Sequence, residues 1–134
     1  MRNDEMYLQL YLIRHGESMG NIETAEEFDT VNPPLTPHGK KQAEALGKRF
    51  DVLESFTLYS SPLDRAKETA AQISPDMIID SELLEKGVRQ TNGVFEDFNE
   101  TDAECYERAK RVVERIKSKH QKHENVIIVA HGMF

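Results

Sequence analysis

Four stretches of the chain carry apolar patterns strong enough to be read as elements. Residues 7–13 (YLQLYLI) are rich in β-formers and stop abruptly at Arg14-His15-Gly16, which predicts a buried strand running into a polar loop. Leu35-Thr36-Pro37 follows, with Thr36 suited to an N-cap and Pro37 to the first helical position. Ala43, Leu46 and Phe50 then recur at helical spacing, so a helix is expected over residues 37–50. Near the other end, Thr101 and Glu104 form a capping-box pattern ahead of Tyr106, Ala109, Val113 and Ile116, which share one helical face as far as Lys119. The last stretch, residues 126–130 (VIIVA), is a continuous apolar run of the kind found in parallel strands buried on both faces, and it ends at His131-Gly132.

Shorter signals fill the middle. Residues 56–60 (FTLYS) read as a strand, and Ser61-Pro62-Leu63-Asp64 as a helix start in which Ser61 caps, Pro62 opens and Asp64 favours the positive end of the helix dipole. Arg65 then lies in the first turn. Residues 77–79 form a third, brief strand candidate. Strand and helix patterns alternate throughout, which predicts βαβ crossovers and an α/β three-layer sandwich around a mostly parallel central sheet. In such sheets ligands gather at the carboxyl ends of the strands. His15 and His131 both follow predicted strands immediately, so segments from opposite ends of the chain are expected to bring two imidazoles to one crevice.

The 134 residues suit a single domain, and a composition of 38% hydrophobic and 31% charged residues is that of a soluble globular protein. No apolar run reaches the length of a membrane span, and the first residues lack the layout of a secretion signal, so the expected location is the cytoplasm. The lone Cys105 has no internal disulfide partner and is expected to be a packing residue. A formal net charge of −7 opposes broad attraction to nucleic acid or anionic membranes. An anionic ligand would have to be drawn by local groups, which turns attention to the arginines beside the histidines.

Several charged residues have plain readings. His38 falls in the first turn after Pro37 and is expected to be exposed. His120 and His123 have a separation that invites a metal, but as cationic side chains near a helix C-terminus they suit the dipole. The acidic residues 96–104 read as a solvated segment. A histidine after a strand is often a satisfied core residue, and Arg65 or Glu85 alone could be a surface group. It is their combination that points to chemistry.

The ordered motifs Leu12-Ile13-Arg14-His15-Gly16-Glu17-Ser18 with Asn21, Leu35-Thr36-Pro37-His38-Gly39 with Gln42-Ala43, Ser60-Ser61-Pro62-Leu63-Asp64-Arg65-Ala66, and Val129-Ala130-His131-Gly132 together resemble the histidine phosphatase superfamily, the phosphoglycerate mutase-like family. The resemblance implies that His15 attacks phosphorus and becomes phosphohistidine, and that His131 bonds the equatorial oxygens in the transition state. It further implies that Arg14 and Arg65 clamp the phosphoryl group and that Asn21 adds a contact. These assignments suit the chemistry. A phosphate monoester carries about −1.5 to −2 charge near neutral pH, arginine's planar fork neutralises two of its oxygens at once, and an imidazole with an ordinary pKa near ~6.5 supplies a neutral nitrogen at physiological pH. No metal or other cofactor is then expected. A proton donor for the leaving alkoxide is implied at Glu85, within Leu83-Leu84-Glu85, with Glu82 in reserve. That carboxyl would need burial or neighbouring negative charge to hold its proton.

Family members continue further beyond the second histidine, where an extra edge strand is implied beside the first strand. Here the sequence ends at Phe134, so the C-terminal strand is expected to be missing and the outer edge of residues 7–13 open to self-pairing in a homodimer, or to reduced stability. About 45 residues separate Glu85 from His131, which leaves little room for the lid that a mutase needs to retain its intermediate. Hydrolysis of a small phosphate ester or a phosphoprotein is therefore expected over phosphoryl transfer. The alternatives are a phosphoglycerate mutase, a sugar-bisphosphate phosphatase, and a truncated relative that binds phosphate without turning it over.

Overall fold

A computed structural model describes residues 8–19, 31–121 and 124–132. Its main sheet has four strands, β1 (Gln9–Arg14), β2 (Thr57–Ser60), β3 (Ile78–Ile79) and β6 (Asn125–Ala130), in the order β1-β6-β2-β3 with every pairing parallel. Helices α1 (Pro37–Phe50) and α2 (Asp64–Ala71) cover one face, where Phe50, Ala66 and Ala70 pack on Leu58, Ile127 and Val129. Helix α3 (Asp102–Lys119) covers the other, with Val112 and Ile116 against Tyr59, Val126 and Ile128. This is the expected three-layer α/β sandwich.

The layers explain the VIIVA run. Strand β6 lies between β1 and β2 with helices above and below, so alternate residues enter opposite cores and none needs a polar side chain. Val126, Ile127, Ile128 and Val129 are fully buried, each worth about 1.5–3 kcal/mol over leaving it in water. Strand β1 has a neighbour on one side only among the described residues, and Leu12 on its α3-facing side is 58% exposed.

Helix boundaries follow the caps. Thr36 Oγ1 accepts from the Gly39 amide at 2.9 Å, with Pro37 opening α1, and Thr101 and Glu104 complete the capping box of α3 with both bonds at 3.1 Å. Helix α2 departs from expectation. It begins at Asp64 after Leu63, without a side-chain cap: Ser61 Oγ accepts from the Leu63 amide at 3.3 Å, one residue ahead of the helix, and the Asp64 amide donates to Asn32 Oδ1 at 2.8 Å. Among the described residues no helix is long and apolar enough to cross a membrane.

Between a 3-10 turn (Ser81–Leu83) and α3 lies an antiparallel hairpin of β4 (Val88–Thr91) and β5 (Val94–Asp97), an element that the sequence pattern does not predict. Its turn is Asn92-Gly93, both residues at positive φ (51° and 81°), as a two-residue turn matched to strand twist requires. Residues 96–104 are not uniformly solvated as expected, since Glu100 is buried in an ion pair with Arg108. Cys105 is buried in packing, with its thiol pKa pushed up by that burial.

Candidate active site

The carboxyl ends of β1, β6 and β2 lie side by side, and each is followed by a polar residue: His15, His131 and Ser61. Two further backbone bonds extend the ladder into this region, from the His15 amide to the Ala130 carbonyl (3.2 Å) and from the Ser61 amide to the Val129 carbonyl (3.0 Å). The imidazoles of His15 and His131 meet edge to face with ring centroids 5.1 Å apart, both rings largely buried.

Hydrogen bonds fix the nucleophile candidate's tautomer. His15 Nδ1 lies 2.6 Å from the Gly16 carbonyl oxygen. A carbonyl only accepts, so Nδ1 carries the hydrogen and Nε2 keeps a free lone pair. The loop behind it is tightly braced. The Gly16 amide donates to Thr69 Oγ1 (3.1 Å), whose hydroxyl donates to the Arg65 carbonyl. The Glu17 amide donates to Gln42 Oε1 (2.8 Å), and Thr36 Oγ1 donates to Glu17 Oε1 (2.7 Å). Gly39 is required here: a β-carbon on it would stand 1.9 Å from the Glu17 carbonyl oxygen, so the loop and the start of α1 meet backbone to backbone.

His131 Nε2 lies 2.9 Å from Ser61 Oγ, while its Nδ1 has no hydrogen-bond partner among the described residues. The same Ser61 oxygen accepts from the Leu63 amide just ahead of α2. The sequence motifs do not assign the serine a part in orienting His131, although its position directly after a strand is a signal of one. Arg65, 3% exposed, reaches from α2 to donate Nη1 to the Val31 carbonyl (3.2 Å) and Nη2 to Glu85 Oε2 (2.6 Å). Arg14 is exposed at the end of β1 and lines a cleft of about 340 Å³ with His15, Gly16, Glu17 and Gln42. Glu85 thus stands beside Arg65, whereas Glu82 is taken up by Arg111 (2.6 Å) and Arg115 (3.2 Å) of α3. Asn21 lies outside the described residues.

A sequence profile of the histidine phosphatase superfamily (branch 1) matches residues 10–97. The chain belongs to that superfamily. Curated relatives of the chain include a probable phosphoglycerate mutase, GpmB, of Salmonella paratyphi C, 38% identical over 99 residues that make up 67% of this chain and 46% of the relative. A probable phosphatase of Schizosaccharomyces pombe is 34% identical over 96 residues, 69% of this chain and 34% of the relative. The chain therefore spans about half or less of the length of these relatives. Among solved structures, the YhfR protein of Bacillus stearothermophilus superposes with a TM-score of 0.73 at 27% identity over 93% of this chain and 74% of that one. The alpha-ribazole phosphatase of Shigella flexneri superposes with a TM-score of 0.66 at 26% identity over 91% and 73%.

Electrostatics at the site lower the pKa of both imidazoles, which favours their neutral forms at physiological pH. Burial is the main cause of a lowered His15 pKa; the Gly16 hydrogen bond opposes it, and the Arg65 charge pushes it further down. His131 is lowered to about 2, again chiefly by burial and then by the charges of Arg65, His15, Arg108 and Arg14. A neutral His15 can attack, and a neutral His131 can donate through one nitrogen without repelling the arginines.

Other histidines stand apart. His38 is exposed, as expected. His120 ends α3 between Tyr59 Oη (2.8 Å from Nε2) and Glu124 Oε2 (3.1 Å from Nδ1), and His123 lies outside the described residues. Among the described residues no three His, Cys, Asp or Glu side chains are gathered as a metal would require.

Proposed function

We propose that the chain hydrolyses phosphate monoesters through a phosphohistidine at His15. The observation that carries this reading is the His15 ring itself, with Nδ1 tied to the Gly16 carbonyl, Nε2 left with its lone pair, and His131 and the arginines beside it.

The ester's phosphoryl group enters between Arg14 and Arg65, with Asn21 adding a contact. Nε2 of His15 attacks phosphorus in line as the bond to the ester oxygen breaks. His131 and the guanidiniums hold the equatorial oxygens, where negative charge grows. Glu85, released from Arg65 by the incoming phosphate and set beside that new negative charge, takes up a proton from solvent and gives it to the departing alkoxide. Water then attacks the phosphohistidine, Glu85 takes its proton, the P–N bond breaks and inorganic phosphate leaves. No step calls on a metal. Small phosphate esters and phosphoproteins are the substrate classes, and a cytoplasmic location belongs to the same proposal, in keeping with a single buried thiol that needs no oxidising compartment.

The test is to trap the intermediate. With p-nitrophenyl phosphate and EDTA present, an alkaline quench followed by peptide mass spectrometry is expected to find one phosphoryl group on residue 15, with p-nitrophenol still released. Release that stops with the chelator, or a phosphoryl group elsewhere, would overturn the reading. The resemblance to GpmB favours a second reading, a phosphoglycerate mutase. It predicts interconversion of phosphoglycerates stimulated by bisphosphoglycerate, where the hydrolase releases inorganic phosphate instead.

A further inference from the structure

The short segment that presents Glu85 is gripped from α3 by a buried ion pair. Arg108 Nη1 donates to the carbonyls of Glu82 (2.8 Å) and Leu84 (2.6 Å), and its Nε and Nη2 each donate to Glu100 at 2.9 Å. Glu100 in turn accepts from the Gly87 amide at 2.9 Å. The pair thus holds the backbone on both sides of Glu85, at residue 84 and at residue 87, where Gly87 turns the chain at a positive φ of 83°. The side chains of Arg108 and Glu100 are 13% and 4% exposed. Leu83 and Leu84 anchor the same segment in the core, and Lys86 pairs outward with Asp102. Glu85 alone is left to face Arg65.

A buried ion pair is a poor source of stability, because the cost of removing both charges from water offsets most of their attraction and apolar residues of like volume serve as well. What this pair supplies is geometry. One guanidinium bonds two carbonyls and a carboxylate at once, a pattern that the single ammonium of lysine does not reproduce. Proton transfer to a leaving oxygen demands a donor held within hydrogen-bond reach of it.

We propose that Arg108 and Glu100 are positioning residues that hold Glu85 at the leaving-group oxygen. They act through Glu85 and touch no substrate, and the inference rests on Glu85 being the proton donor. A donor matters most where the departing alkoxide is basic, and little where it is p-nitrophenolate. The experiment compares kcat/KM, which reports the phosphorylation half-reaction, for ethyl phosphate and p-nitrophenyl phosphate in the wild type, Glu85→Gln, Arg108→Lys and Glu100→Gln. Circular dichroism and inorganic phosphate affinity are recorded for each. Loss of a positioned general acid is expected to lower ethyl phosphate turnover about 10²-fold in all three variants, with p-nitrophenyl phosphate falling no more than a few-fold and phosphate affinity kept.

Selectivity in Glu85→Gln that is absent from folded Arg108→Lys and Glu100→Gln overturns the positioning role and leaves the donor in place. A Glu85→Gln variant that slows both esters alike removes the donor assignment and the positioning role with it. If Arg108→Lys does not fold, Glu100→Gln decides the question alone, since it keeps the volume and loses the charge that draws Arg108.

Discussion

Alanine at His15 is expected to lower chelator-resistant turnover of p-nitrophenyl phosphate by about 10⁴-fold or more, the scale on which removal of a covalent nucleophile is felt. The effect should fall on kcat. Inorganic phosphate should still bind within about tenfold of wild-type affinity, because the guanidiniums supply most of the charge-assisted bonding. Isothermal titration with phosphate and a steady-state assay measure the two halves. In the wild type, burial and Arg65 pull the His15 pKa down, so the fraction of neutral, attacking imidazole stays high as the solution is acidified. The acid limb of kcat/KM is accordingly expected below the ordinary histidine value of about 6.5. Undiminished turnover in the His15→Ala protein would mean that another group attacks.

Acid should destabilise the fold through His131. Its pKa is lowered to about 2 in the folded chain, with burial the main cause, against about 6.5 when unfolded. The unfolded chain therefore binds the proton first. The contribution of the neutral imidazole is fully present above about pH 6.5 and is lost as pH falls from there towards the folded value, at up to about 1.4 kcal/mol per pH unit. Between pH 6.5 and 4.5 this amounts to about 2–3 kcal/mol, a large share of a typical domain's stability. Urea unfolding of the wild type and His131→Gln at several pH values isolates it, since carboxylate contributions are common to both proteins. Parallel pH dependences in the two would refute the assignment.

Much of this architecture is legible in the residues because long, one-sided patterns leave little choice. The apolar run of β6, the Thr36-Pro37 start of α1 and the Thr101–Glu104 box of α3 each announce an element whose local preference and tertiary role agree. The β4–β5 hairpin escapes, although Asn92-Gly93 marks its turn, because its strands carry mostly polar, exposed residues and show no alternation of apolar positions. Ser61 shows the limit of local rules: its place before Pro62 and Asp64 suits a cap, yet its oxygen reaches only the Leu63 amide and also meets an imidazole far along the chain. Glu100 reads as one more surface acid because its partner, Arg108, lies eight residues on, and the carbonyls and amide that the pair binds leave no trace in side-chain identity. The neighbourhood of His15 and His131 was legible in outline from strand ends and ordered motifs, whereas the pairing of Glu85 with Arg65 required the fold.

Among the described residues β1 is paired on one side only, which divides its amides into two populations. In a parallel strand successive N–H groups point to opposite sides, and those of Gln9 and His15 both point to the β6 side, at the Glu124 and Ala130 carbonyls. The amides of Tyr11 and Ile13 fall in the same row, while those of Leu10, Leu12 and Arg14 face outward. Deuterium should enter the outward row many times faster than the inner one, so the strand that delivers the attacking ring is slow to exchange along one border and quick along the other. Protection of the outward row that grows with protein concentration would reveal a second copy laid along that border, and protection independent of concentration would mean that the same chain already covers it.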